Sequence, residues 1–211
     1  MYRYVIRAAA TLSCLCTCVI GSLTDRAGAA EVKSGDAGVE LRTSNVWFTL
    51  PDHLRAAFNE SAAPGVKLHA QKLGVSLAAD EVPSQIIVVQ SKTLLGAAED
   101  NPNIILAIEK AWSDKFEKTG RGYYELMTDR VKQLGSPSKF TSKPKELQIG
   151  GQAFFEFDVD NFKVSGATTK QRYIAGFNRG HYVIFILSYN SEGDEDFQVM
   201  MDIVESVKLR K

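Results

Sequence analysis

Ala153-Phe154-Phe155-Glu156-Phe157-Asp158-Val159-Asp160, the run 172–177, the turn Asn178-Arg179-Gly180 and Tyr182-Val183-Ile184-Phe185-Ile186-Leu187-Ser188-Tyr189 follow one another along the chain. This stretch decides the fold. The first run alternates aromatic and acidic residues, the pattern of a half-buried strand. The third, from His181 to Tyr189, is apolar on both faces through Val183-Ile184-Phe185-Ile186-Leu187, which requires cover on both sides. The short link at 178–180 leaves room only for a hairpin, so the sheet is mainly antiparallel.

Working outward, the spacing of Phe197, Met200, Met201, Val204 and Val207 predicts a closing amphipathic helix, with Ser191 and Asp194 read as a capping box. Upstream, residues 46–50 read as a strand stopped by Pro51. Residues 66–71 alternate and read as a half-buried strand, with His69 on its polar face. Ile86-Ile87-Val88-Val89 reads as an interior strand. Asn101-Pro102 looks like a helix start, and Ile104, Ile105, Ile108, Ala111, Trp112 and Phe116 carry a helical stripe. Gly120-Arg121-Gly122 breaks it, Tyr123, Leu126, Met127, Val131 and Leu134 resume it until Gly135, and 136–145 is a basic, solvated loop. The expected class is α/β (α+β): a mainly antiparallel sheet with helices on both faces. One domain spans 45–208, behind a flexible leader of small and polar residues at 31–44.

Gly150-Gly151-Gln152-Ala153-Phe154-Phe155-Glu156-Phe157, the hairpin ending in residues 182–189 and the closing Ile203-Val204-Glu205-Ser206-Val207 resemble the PsbP-like family over roughly residues 45–208. That fold also occurs in a Ran-binding nuclear-import factor and in many exported bacterial proteins. The resemblance implies a PsbP-like α/β/α sandwich and, by analogy with photosystem extrinsic subunits and protein-binding factors, a non-enzymatic binding role. No photosystem-specific signature matches, so no functional residue carries over.

Arg3 and Arg7, the uncharged run 8–24 and Ala27-Gly28-Ala29 read as a secretory signal peptide over residues 1–30. The protein is expected in the periplasm or secreted. An uncleaved anchor, or lipidation of Cys14, is the competing reading. All three cysteines, Cys14, Cys16 and Cys18, fall in this segment, so the mature chain has no thiol for a disulfide, metal site or nucleophile. Cleavage leaves 22 basic and 24 acidic residues. That balance predicts no nucleic-acid partner and no membrane attachment after cleavage.

Short catalytic motifs fail on context. Lys118-Thr119-Gly120 and Ser136-Pro137-Ser138-Lys139 look like penicillin-binding motifs, but they run in the wrong order and on the wrong elements. His53, His69 and His181 lie in separate elements, and a zinc site would need them to converge. Asn59-Glu60-Ser61 is a glycosylation sequon, read as an ordinary surface turn. Trp47 and Trp112 read as core. Catalytic, cofactor and metal residues are therefore all expected to be none.

One constellation remains. Glu156, Asp158 and Asp160 share one strand face, and Lys170 and Arg172 match their parity on the next strand. A turn near Ser165-Gly166 sets Asp160 opposite Lys170 and Asp158 opposite Arg172. The pairs read as cross-strand ion pairs rather than a calcium site, because an extended strand offers too few oxygens and the basic neighbours repel a cation. The charged face is the candidate docking surface. The functional expectation is an exported, non-catalytic domain that binds a protein partner or a small ligand. The alternative is a cell-envelope hydrolase using a carboxylate pair.

Overall fold

The computed structural model describes residues 29–78, 81–93, 101–162 and 168–211. The expected signal segment up to residue 28 and the expected turn at Ser165-Gly166 lie outside these residues. In chain order the elements are β1 (Glu31–Ser34), β2 (Val39–Arg42), β3 (Phe48–Thr49), α1 (Asp52–Lys72), β4 (Ser84–Ser91), β5 (Asn103–Lys110) and α2 (Gly120–Leu134). Then come β6 (Lys139–Phe140), β7 (Lys145–Ile149), β8 (Gln152–Phe162), β9 (Thr168–Asn178), β10 (His181–Ser188), α3 (Glu195–Glu205) and β11 (Lys208–Leu209).

Among the described residues, an eight-stranded antiparallel sheet runs β3-β4-β5-β10-β9-β8-β6, and β7 shares the outer edge of β8 with β6. The apolar strand β10 lies between β5 and β9, as its composition requires. Strand parity divides the core into two layers. Ile104, Leu106, Phe154, Ile174, Val183 and Phe185 face Met200, Ile203 and Val204 of α3. Ile105, Phe157, Tyr173, Ala175, Tyr182 and Ile184 face Tyr123 and Leu126 of α2, with Leu54 and Phe58 of α1 packed alongside. Helices therefore lie on both faces of the sheet.

The two long helices on the second face are placed by specific contacts. Helix α2 starts where the Thr119 hydroxyl accepts a hydrogen bond from the Gly122 amide at 3.1 Å and stops at Gly135, whose φ of 64° only glycine adopts cheaply. At Gly120 the helix touches the sheet so closely that a Cβ would stand 1.8 Å from the Ala175 carbonyl oxygen. Helix α1 closes the outer edge of β4 at its bulge. The Asn59 amide accepts from the Ile86 amide at 2.6 Å and donates to the Ile86 carbonyl at 3.3 Å, while Arg55 donates to the Ile87 carbonyl. Backbone groups that would invite another strand are thus occupied by side chains.

Several expectations need correction. Residues 31–44 are not a flexible leader. They form β1 and β2, which join β11 in a three-stranded sheet, and Ala37, Val39 and Leu41 are buried in the core. The folded unit thus extends beyond 45–208 at both ends. Residues 66–71 are the last turns of α1 rather than a strand: Val66, His69 and Ala70 are buried at i, i+3 and i+4, despite Pro64 inside the helix. The region 101–116 is not helical: it is strand β5 up to Lys110 and a non-helical connection from Ala111 to Thr119. Asn101 gives its side chain to the backbone of Thr93, and Ile104-Ile105-Leu106-Ala107-Ile108 is buried at every position of strand β5. Gly120-Arg121-Gly122 begins a helix instead of breaking one. The loop 136–145 contains β6 and the first residue of β7. Ser191 does not cap α3; Asp194 occupies the N-cap position without a side-chain cap bond.

Candidate functional site

The β8–β9 register places Asp158 opposite Arg172 and Asp160 opposite Lys170, while Phe155, Phe157 and Val159 turn to the face that α2 covers. Arg172 is the centre of this surface. Its Nε donates to Asp158 Oδ1 at 2.9 Å and its Nη2 donates to Glu192 Oε1 at 2.7 Å, with Glu156 Oε2 3.9 Å from Nη1. The rings of Tyr189 and Phe197 flank the guanidinium at 5.8 and 5.6 Å. Burial works against the Arg172 charge, but the Asp158 bond and its neighbours outweigh burial and hold the guanidinium above its ordinary range. Burial likewise pushes the Tyr189 phenol up to about 12.

Neighbouring strands extend the pattern. Lys145 on β7 stands 3.6 Å from Glu156, and Lys139 on β6 is in register with Asp160. Opposite charges thus alternate across β6/β7, β8 and β9. Beside them is a shallow depression of about 240 Å³, lined by Thr141, Asp158, Asp160, Lys170, Tyr189 and Glu192. All five residues of the expected face are brought together: Lys170 is exposed, and Glu156, Asp158, Asp160 and Arg172 are half-buried.

A second polar constellation was missed by sequence reasoning. It lies between α1, α2 and β5, on the opposite face of the sheet. Glu109, 1% exposed, ends the apolar run of β5. It accepts from Arg130 Nη1 at 3.1 Å, from Arg130 Nη2, and from Trp112 Nε1 at 3.0 Å. Arg130 Nε also points to His69 Nδ1 at 3.4 Å, and His69 Nε2 lies 2.9 Å from Asp129 Oδ2. Lys115 completes the set, 3.3 Å from Asp129 Oδ1. His69 is fully buried, and desolvation lowers its pKa below the ordinary histidine value against the pull of Asp129. Burial raises Asp129, but its bonds to His69 and Lys115 prevail and hold it below the usual carboxylate range. Two signals were available in the sequence: a glutamate ending an otherwise apolar interior strand, and a histidine at helical spacing between Val66 and Ala70.

The other singled-out residues do not converge. His69 is buried instead of lying on a polar strand face, His53 is exposed in the first turn of α1, and His181 hydrogen-bonds the Arg179 carbonyl at 2.8 Å. No group of three metal-ligating side chains forms among the described residues. Trp47 is core; Trp112 is half-buried against Glu109. Thr119 serves as a helix cap, and the Ser136 hydroxyl meets that of Ser138 at 3.0 Å. Asn59 lies within α1, not in a turn, and its amide is committed to β4. No helix among the described residues is long and apolar enough to cross a membrane.

These elements superpose on the solution structure of the cyanobacterial PsbP protein, CyanoP, from Synechocystis sp. PCC 6803, with a TM-score of 0.50 over 90% of this chain and 99% of that one. The chain has a PsbP-like fold. Identity to CyanoP is 15%, so the likeness lies in the architecture. LpqN, a protein involved in cell envelope biogenesis of Mycobacterium tuberculosis, matches at 13% identity over 87% of this chain and 91% of its own, with a TM-score of 0.43. No protein-family model matches the chain, and no curated protein does.

Proposed function

We propose that the chain is an exported, non-catalytic binding domain that docks a protein partner on the charged β8–β9 face. The observation that carries this reading is the in-register ladder of Glu156, Asp158 and Asp160 against Lys170 and Arg172, set beside a shallow depression. Arg172 is fixed by its own carboxylates and rings, so it holds the surface rigid, while Lys170 and Asp160 offer opposite charges to a partner. A depression of about 240 Å³ with a polar rim favours a macromolecule over an enclosed small ligand. A non-catalytic role is supported by the α1–α2 seam, where the buried Glu109 and His69 spend their hydrogen bonds on Arg130, Trp112 and Asp129.

The test separates docking from structure. Asp160→Lys and Lys170→Asp each invert one exposed charge, and combining them restores an opposite-charge pair across the strands. A docking face predicts that a partner recovered from the exported fraction of the native host is weakened by both single changes and is not regained by the double. Recovery of binding in the double variant, or indifference to all three, would overturn the assignment. Because these side chains are exposed or half-buried, stability should change by no more than about 0.5 kcal/mol.

A further inference from the structure

We propose that His69 makes the α1–α2 seam an acid-sensitive latch, which holds at neutral pH and loosens the C-terminal end of α1 when the imidazole takes a second proton. The geometry requires a neutral ring. Nδ1 faces the Arg130 Nε–H at 3.4 Å and must accept, which leaves the proton on Nε2 to donate to Asp129 at 2.9 Å. A proton added at Nδ1 sets N–H against N–H and places a second cation beside a buried guanidinium.

The charges around the ring do not offset this. From α2, Asp129 favours a charged imidazole, but it already holds Lys115 from the β5–α2 connection, while Arg130 disfavours it. From β5, the Glu109 carboxylate is committed to Arg130 and Trp112. The edge-on Trp112 ring lies 5.5 Å from the imidazole, and the Tyr123 and Tyr173 phenols beside Arg130 are buried and raised by desolvation. On α1 itself, Lys72 reaches across to the Gln133 carbonyl of α2. Burial dominates and lowers the His69 pKa.

The sign follows from linkage. A histidine whose folded pKa lies below its unfolded value stabilises the seam fully above about pH 6.5 and loses that contribution as pH falls toward the folded value. Opening is expected over residues 66–72, because Arg55 and Asn59 anchor the other end of α1 to β4 independently.

NMR titration of His69, with amide exchange followed along α1, tests the latch in the chain as it stands. His69 should titrate below the ordinary value, and the opening equilibrium for residues 66–72 should rise about tenfold per unit fall in pH within that window, while α3 stays unaffected. His69→Gln supplies the same acceptor and donor but gains no proton, so its opening should no longer respond to pH. Should that variant fail to fold, Asp129→Asn serves instead: it should lower the His69 titration further and carry the opening to lower pH with it. A His69 that titrates at or above about pH 6.5, exchange that is constant between about pH 7 and pH 5, or a pH response retained in His69→Gln would overturn the latch.

Discussion

Glu109 shows how one residue ties β5 to α2 and to the connection between them. It sits at the end of β5 with 1% of its surface exposed, and it is held by Arg130 of α2 and by the Trp112 indole. A buried pair of this kind adds little net stability over a well-packed apolar pair, but removing one partner strands the other charge. Glu109→Gln is therefore expected to destabilise the fold by about 3–5 kcal/mol in chemical denaturation, whereas Glu109→Leu combined with Arg130→Met should cost far less. Equal losses in the two variants would mean that packing, not charge pairing, is what the site supplies. Arg172 differs on the other face: its three carboxylates lie toward solvent, and its rings come from residues flanking and within α3.

At the scale of elements, the contact of α2 with β9 is the tightest constraint. Gly120 lies against the Ala175 carbonyl and the Phe155 ring, and a methyl group there has no space on the backbone side. Gly120→Ala is expected to cost about 1–3 kcal/mol, measured as a lowered denaturation midpoint, since either the helix or the strand must shift. A neutral change would show that α2 is not seated as described. The C-terminal strands, their register and the closing helix were legible in the sequence because their signals are local: alternation in β8, an unbroken apolar run in β10, a helical stripe in α3. The misread elements are those in which local signals compete. In β5, isoleucines at helical spacing sit inside a run that is apolar at every position, and burial on both faces decided for the strand. In α1, six alternating residues after a proline imitate a strand, and only the partners on α2 and β4 reveal a helix. The charged ladder was legible because it rests on strand parity; the α1–α2 seam was not, because its pairs join residues 21 to 61 positions apart on different elements.

Over the whole molecule, the two ends of the described chain meet. Strand β2 lies between β1 and β11, Glu40 is held by Lys33 at 3.0 Å and Arg210 at 2.6 Å, and the Asn178 amide donates to the Ala37 and Arg210 carbonyls. Small and polar residues at 31–44 gave no local sign of this, since the sheet depends on a partner strand about 170 residues away. In the large sheet, β3 and α1 border β4 on one side and β6 and β7 form the outer edge on the other, and the functional account rests on the charged β8–β9 face. A photo-cross-linking residue placed at Lys170, and in a separate variant at Val82, which is 60% exposed, tests that account most directly in the native host. The account predicts one reproducible protein adduct from position 170 that is absent from position 82 and is lost when Asp160→Lys is added. The same adducts from both positions, or an adduct from position 82 alone, would contradict it.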